Sequence, residues 1–297
     1  MATIGFIGLG NMGGPMASNL TKAGHTVVGY DLSLSALDAA VARGLKLAGS
    51  AADVAAQADV VITMLPSGRH VVGVATGPDG AFAAARKGTL FIDSSTIDVE
   101  NARAFHAAAQ AVGHVSLDAP VSGGVSGAEG ATLTFMCGGS PEAFAAAQPI
   151  LALMGKKIVH CGDGGAGQAA KICNNMILGI SMIAVSEAFV LGEKLGLSHQ
   201  ALFDVASTSS GQCWALTTYC PVPGPVPTSP ANRDYQPGFS AALMLKDLKL
   251  SQEAASHAGA ATPLGATAAG LYAAFEGEGN AGKDFSGIVE WVRARTK

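Results

Sequence analysis

The 297 residues contain no C-x-x-C pair, no H-x-x-H or H-E-x-x-H spacing and no cluster of lysine and arginine. Each absence excludes a class of function. Five scattered cysteines (Cys137, Cys161, Cys173, Cys213, Cys220) are the pattern of reduced, structural thiols, and without paired His or Cys a metal site is not expected. A net charge of −4 with only 13% charged residues offers phosphate-backbone binding of nucleic acid nothing to start from. Lys and Arg are absent before Lys22, so the apolar run at residues 4–9 lacks the charged flank of a signal peptide, and a cytoplasmic location is expected. The purely apolar core of the longest helical stretch, residues 176–185, is too short for a bilayer, which needs about 20 apolar residues. A membrane is therefore not an expected partner.

What is plentiful is apolar residues, 49%, and glycine, 39 residues. This is the composition of a compact enzyme, and the length suits two domains. Glycine is informative at the start of the chain, in Gly5-Phe6-Ile7-Gly8-Leu9-Gly10-Asn11-Met12-Gly13. Gly8, Gly10 and Gly13 fill G-x-G-x-x-G directly after an apolar strand over 3–7 and at the start of a helix over 12–23, the context in which the pattern binds a dinucleotide. Gly8 allows the tight turn, Gly10 lets backbone approach the pyrophosphate, and Gly13 lets helix and strand pack closely. Asn11 and Met12 lie between them, where the helix N-terminus offers N–H groups to the phosphates. Asp31 ends the second strand, over 25–30, 18 positions beyond Gly13. That is near the distance at which an acid meets the ribose hydroxyls, a role that selects NAD over NADP; capping the next helix is the plainer alternative.

Strands over 59–64, 89–92 and 114–117 alternate with helical stretches, and strands over 133–137 and 157–160 extend the series. This pattern predicts an α/β fold whose first domain, residues 1–163, is a doubly wound (Rossmann) parallel sheet. In such sheets ligands lie beyond the carboxyl ends of the strands. The turn at Leu65-Pro66, the turn at Asp93-Ser94-Ser95-Thr96 and the loop Ser122-Gly123-Gly124 all follow strand ends, so they should gather on one edge. A glycine-rich joint at 164–167 leads into a proline-free stretch over 168–195, a single helix roughly 42 Å long. So apolar a helix should be buried. The interdomain element is thus assigned to 164–195 and an all-helical domain to 196–297, with the proline-rich segment 220–237 as an extended loop.

The start of the long helix carries Gln168, Lys171, Asn174 and Asn175. At about 100° per residue, Gln168, Lys171 and Asn175 share one stripe. A buried amine and buried amides must be paired or face a cavity, since each unsatisfied group costs about 1–3 kcal/mol. A hydrogen-bond network would account for them. The functional reading puts Lys171 on a reacting oxygen and Asn175, one turn on, on the substrate.

With these residues in view, the chain resembles the β-hydroxyacid dehydrogenases, in particular the branch acting on 3-hydroxyisobutyrate. The resemblance runs over essentially the whole chain: GFIGLGNMG at the start, DAPVSGG at 118–124, GxGQxxKxxNN at 165–175, and Lys246-Asp247-Leu248. It implies a substrate carboxylate held by Ser122 and the backbone of Gly123 and Gly124, catalysis by Lys171 and substrate binding by Asn175. It further implies that Leu65, Pro66 and Thr96 line the NAD site and that Lys246 reaches its nicotinamide end. Trp214 and residues 220–224 look like the hydroxyisobutyrate branch, with Trp214 as an apolar wall for the substrate.

Oxidation of an alcohol sends hydride to the nicotinamide and the hydroxyl proton to a base, and Lys171 suits that base. An apolar helix favours its neutral form by desolvation. The expected activity is NAD-dependent oxidation of 3-hydroxyisobutyrate to methylmalonate semialdehyde, a step of valine degradation, by a homodimer or homotetramer. Reduction of tartronate semialdehyde is the alternative within the class, and a non-catalytic dinucleotide sensor the alternative outside it. Lys171 argues against the sensor, and also against imine reductases, which generally lack lysine at that position.

Overall fold

The computed structural model describes residues 1–296. The chain divides into two compact units, Met1–Lys171 and Ile172–Lys297.

In the first unit, strands and helices alternate as β1 (Thr3–Ile7), α1 (Gly13–Lys22), β2 (Thr26–Tyr30), α2 (Leu34–Ala42), β3 (Lys46–Leu47), α3 (Ala51–Gln57), β4 (Val60–Thr63), α4 (Gly68–Ala75), α5 (Ala81–Ala84), β5 (Leu90–Asp93), α6 (Val99–Ala111) and β6 (Val115–Asp118). There follow β7 (Val121–Ser122), α7 (Gly124–Glu129), β8 (Leu133–Gly138), α8 (Pro141–Leu151), β9 (Gly155–Gly162) and α9 (Ala166–Lys194). The sheet runs β3-β2-β1-β4-β5-β6-β8-β7, with β9 also paired to β8. From β3 to β6 every pairing is parallel, as the alternation predicts. The parallel expectation fails beyond β6: β8 is antiparallel to both β6 and β7. The chain between β6 and β8 is spent on β7 and the six-residue α7, leaving no crossover helix of the kind a parallel return requires. The α8 crossover then makes β9 parallel to β8.

Successive residues of the central strands point to opposite faces, and both faces are covered. Ile4, Phe6, Ile62 and Ile92 join Met16 and Leu20 on one side. Ile7, Val61 and Phe91 join Val54 and Phe105 on the other. Strands buried on both faces explain the near-continuous apolar runs of β1, β4 and β5. Each such large side chain contributes about 1.5–3 kcal/mol on burial.

The second unit is helical: the body of α9, then α10 (His199–Ala206), α11 (Trp214–Thr217), α12 (Ala241–Ala258), α13 (Pro263–Phe275) and α14 (Ile288–Ala294). Its core unites Met182, Val185 and Phe189 of α9 with Met244, Leu248, Tyr272 and Phe275. Two expectations need correction. Only half of the apolar window of α9, the one helix among the described residues long and apolar enough to cross a membrane, is buried. Ile177 (64%), Leu191 (60%) and Leu195 (72%) stay exposed, because apolar residues occupy every face of this helix and only one face packs on the core. The proline-rich segment is not simply extended. Tyr235 Oη donates to the Pro221 carbonyl at 2.9 Å, Ser229 Oγ donates to that of Cys220 at 2.6 Å, and a short 3-10 turn forms at Pro230–Arg233.

Candidate active site

Sheet register aligns Ile7 with Tyr30 and Thr63, Thr63 with Asp93, and Asp93 with Asp118. These five residues form one row at the carboxyl edge of the sheet, and the loops carrying most of the candidate residues start just beyond it.

After β1, the three fingerprint glycines meet three different surroundings. Gly8 has φ +96°, and a Cβ there would stand 2.2 Å from the Met64 carbonyl oxygen. A Cβ on Gly13 would stand 1.9 Å from the Gly8 carbonyl oxygen, so α1 starts against the turn itself. A Cβ on Gly10 would meet nothing within 4 Å, leaving that backbone open to a ligand. Asn11 and Met12 complete the turn, and Met12, the residue preceding α1, gives the helix no side-chain cap.

Asp31 accepts the Leu9 N–H at 2.7 Å through Oδ2 and the Ser33 N–H at 2.8 Å through Oδ1. It ties the glycine turn to the end of β2, and each oxygen keeps a further lone pair. Capping of α2, the plainer role, belongs to Ser33.

After β4 and β5, the loops with Leu65, Pro66 and Thr96 are joined by one buried carboxyl. The Leu65 N–H donates to Ser95 Oγ at 2.8 Å. Asp93 Oδ1 then accepts Ser95 Oγ at 2.6 Å and Thr63 Oγ1 at 2.8 Å. Asp93 Oδ2 is buried without a partner. Burial pushes the Asp93 carboxyl up to about 6, the hydroxyl bonds opposing and the nearby Asp118 adding.

After β6, Asp118 is 1% exposed and accepts from the N-terminus of α9: the Gly165 N–H at 2.7 Å and the Gln168 N–H at 2.9 Å. His106 Nε2 lies 2.8 Å from the same carboxylate. Ser122, in β7, is half-buried and pairs with Thr134 of β8; Gly123 (φ +135°) and Gly124 (φ +63°) then turn the chain into α7. Side chains there would be strained.

The stripe on α9 is buried: Gln168 at 0%, Lys171 at 7% and Asn175 at 2% exposure. Gln168 is wholly engaged, its Oε1 accepting the Ile97 N–H at 3.1 Å and its Nε2 donating to the Ser95 carbonyl at 2.7 Å. Asn175 Nδ2 donates to Asp247 Oδ2 at 2.5 Å, and Asn174 Nδ2 donates to Asn175 Oδ1 at 3.0 Å. Lys246 Nζ stands 3.6 Å from Asp247 Oδ1. Asn175 and Lys246 are thus brought together through Asp247, a buried residue that the reading of the stripe missed although it sits inside the quoted Lys246-Asp247-Leu248 motif.

Trp214 belongs to a separate cluster. It is half exposed and stacks on Tyr219 at 4.9 Å, which stacks on Phe285 at 5.4 Å. Tyr219 Oη donates to Asp284 at 2.9 Å, and burial followed by the Asp284 charge holds its proton well above the usual tyrosine range. Asp284 also accepts the Gly238 and Phe239 N–H groups. No sequence motif marks Asp284; the partners of its Oδ2 lie 45–65 residues earlier.

All five cysteines are free thiols, and burial pushes Cys137 up to about 12 and Cys220 to about 11.

Comparison with known proteins gives this geometry a context. Residues 3–162 match the family described as the NAD binding domain of 6-phosphogluconate dehydrogenase. Residues 165–292 match the NAD-binding domain of NADP-dependent 3-hydroxyisobutyrate dehydrogenase. A probable 3-hydroxyisobutyrate dehydrogenase of Mycobacterium tuberculosis is 56% identical over 295 residues, 99% of each chain. An NAD-dependent L-serine dehydrogenase of Pseudomonas aeruginosa is 49% identical over 286 residues, 96% of each chain. Among solved structures, the Mycobacterium tuberculosis 3-hydroxyisobutyrate dehydrogenase with L-serine superposes with a TM-score of 0.94 at 55% identity, covering 99% of both chains.

Proposed function

Because the chain belongs to the β-hydroxyacid dehydrogenase family, with 3-hydroxyisobutyrate dehydrogenases among its close relatives, and is an NAD-dependent oxidoreductase, we propose that it oxidises 3-hydroxyisobutyrate to methylmalonate semialdehyde with Lys171 as general acid–base. The observation that carries the mechanism is Lys171 itself. An amine only 7% exposed follows Gln168 by three residues on a helix anchored to the carboxyl edge of the sheet, where Gln168 also tethers the loop assigned to the cofactor.

The glycine turn suits the cofactor: Gly10 faces open space, and Asp31 keeps lone pairs for ribose hydroxyls. NAD supplies the hydride acceptor when bound. Ser122, with the backbone of Gly123 and Gly124, holds the substrate carboxylate. Lys171 takes the hydroxyl proton as the alcohol is oxidised and returns it in reverse. Asn175, held by Asp247, orients the substrate; Leu65, Pro66 and Thr96 line the cofactor, and Lys246 reaches its nicotinamide end. Trp214, braced by Tyr219, forms the apolar wall for the methyl branch.

Asp31 favours NAD over NADP. A 2′-phosphate about 4 Å from a carboxylate meets roughly 4 kcal/mol of repulsion at an effective dielectric near 20. Residues 32–42 contain no Lys or Arg to offset it. The reaction would serve valine degradation in the cytoplasm. Ile177, Ala184 and Leu191, exposed at seven-residue spacing on α9, favour a homodimer or homotetramer. Cofactor binding falls to residues 1–163, with 164–195 as the linking helix and 196–297 serving substrate binding and assembly.

A second reading is L-serine oxidation, favoured by the Pseudomonas aeruginosa relative named for it. Steady-state kinetics with NAD and NADP on 3-hydroxyisobutyrate, L-serine, 3-hydroxypropionate, glycerate and lactate separates the readings. The highest kcat/KM is expected for 3-hydroxyisobutyrate with NAD. A hydrogen-bonding partner for the serine amine would reject the methyl compound by as much as about 10⁴-fold, whereas an apolar wall discriminates only about 10–200-fold. Preference for serine or glycerate overturns the substrate assignment and leaves the cofactor assignment standing.

A further inference from the structure

We propose that Asp118 and Gln168 are positioning residues that set Lys171 for proton transfer; this rests on the reading of Lys171 as the acid–base. The first N–H groups of a helix have no partners within it, and a carboxylate placed there also meets the positive end of the helix dipole. Asp118 supplies that carboxylate from the sheet: Oδ1 accepts the Gly165 N–H and faces His106 Nε2, and Oδ2 accepts the Gln168 N–H. His106 is itself held by Ser116 Oγ, 2.7 Å from its Nδ1.

The helix start is pressed against the strand ends at a separation that only glycine permits. A Cβ on Gly167 would stand 2.3 Å from the Met136 carbonyl oxygen and 2.7 Å from Asp118 Oδ2. A Cβ on Gly138 would stand 2.5 Å from Asp118 Oδ1 and 2.7 Å from the Gly167 nitrogen. Gln168 adds a second tether, to Ser95 and Ile97 on either side of Thr96. Ser95 in turn receives the Leu65 N–H and donates to Asp93. One hydrogen-bonded series therefore runs from the loops proposed to line NAD to the first turn of α9, and Lys171 follows Gln168 by three residues on the same face. Both Asp118 oxygens and both polar atoms of Gln168 are engaged within the protein, so these residues act through Lys171 and not on the substrate.

A misplacement of about 1 Å at a reacting group can cost about 10²-fold in rate. Asp118→Asn, which sets an amide against an N–H donor, is expected to lower kcat about 10- to 100-fold while the dissociation constant for NAD, read by tryptophan fluorescence, stays nearly unchanged. Gln168→Ala frees the loop with Thr96, so it weakens NAD binding and also lowers kcat at saturating NAD. In the Lys171→Ala background neither substitution should lower kcat further, because the group they position is gone. Near-normal turnover in Lys171→Ala brings down the acid–base reading and this inference with it. If Lys171→Ala is inactive, then normal kcat in the folded single variants, or losses that multiply with that of Lys171→Ala, overturn the positioning role alone. Should Asp118→Asn fail to fold, the Gln168→Ala cycle decides.

Discussion

The candidate cofactor loops and the candidate substrate residues are built on opposite principles. Beyond β1, β4 and β5 the protein works with main chain: glycines that leave room, and hydroxyl and carboxyl groups that fasten one loop to the next. Along α9 and α12 it works with side chains, Lys171 and Asn175 with Asp247 holding Asn175, on regular helix. The first kind of site is damaged by adding atoms and the second by removing them. Mutation should therefore separate the two regions by the sign of the volume change.

The largest expected effect is a deletion. Lys171→Ala removes the proposed proton acceptor and leaves the Asp118 and Gln168 tethers of α9 in place, so kcat should fall about 10²- to 10⁴-fold, the usual worth of a general acid–base. NAD affinity, from equilibrium titration, should be nearly unchanged. A variant that turned over normally with NAD bound would make the buried amine a packing feature and erase the contrast. Next is an addition: Gly13→Ala puts a methyl 1.9 Å from the Gly8 carbonyl oxygen, an overlap that backbone must absorb. The loss should reach or exceed about 3 kcal/mol, the upper end for overpacking, measured as the shift in urea midpoint. Equal stability of Gly13→Ala and wild type would show that the turn is softer than its contacts imply.

A third effect, of up to about 3 kcal/mol at the buried Asp93 and less at the solvent-screened Glu193, distinguishes the two units by pH. Asp93 is raised from 3.8 to about 6, so the native state binds its proton more tightly than the unfolded chain. The stability linked to that proton is complete below pH 4 and is lost as pH rises through 6. Glu193, in the helical unit, is lowered from 4.5 to about 2, first by the Arg293 hydrogen bond and then by His199. Its contribution is present above pH 4.5 and lost as pH falls towards 2. Denaturant titrations from pH 3 to 7 should show both slopes, and Asp93→Asn should flatten only the upper one. A slope of unchanged size in that variant would acquit Asp93. The smallest effect is the sharpest. Gly10→Ala meets no protein atom within 4 Å, so stability should hold while NAD binding weakens about tenfold, or about 1.4 kcal/mol.

What could be read beforehand was whatever is encoded over a short span. The G-x-G-x-x-G turn, the acid closing β2 and the long proline-free helix each declare themselves within about 30 residues. The antiparallel insertion of β8 did not, because apolar alternation carries no information about strand direction. Asp247 meets Asn175 across 72 residues, and Asp118 reaches the start of α9 across 47–50, so nothing local announces either bond. The exposed stripe of α9 was misjudged for a related reason: a helix apolar on every face has no period from which to tell its packed side from its open one. The proline-rich segment hid its compactness because Ser229 and Tyr235 fasten it through backbone carbonyls, which every sequence possesses.

The row formed by Ile7, Tyr30, Thr63, Asp93 and Asp118 has a consequence for how such a protein changes over time. Everything before the row is committed to covering two faces of one sheet, and substitutions there are answerable to the whole core. Everything just beyond it is a short segment that can be rewritten one at a time, so long as its tether survives. Selection can then alter which hydroxy acid is accepted without renegotiating the architecture, and a designer exploring new substrates should confine a library to the residues beyond the row and leave the tethers Asp31, Asp93, Asp118 and Gln168 alone.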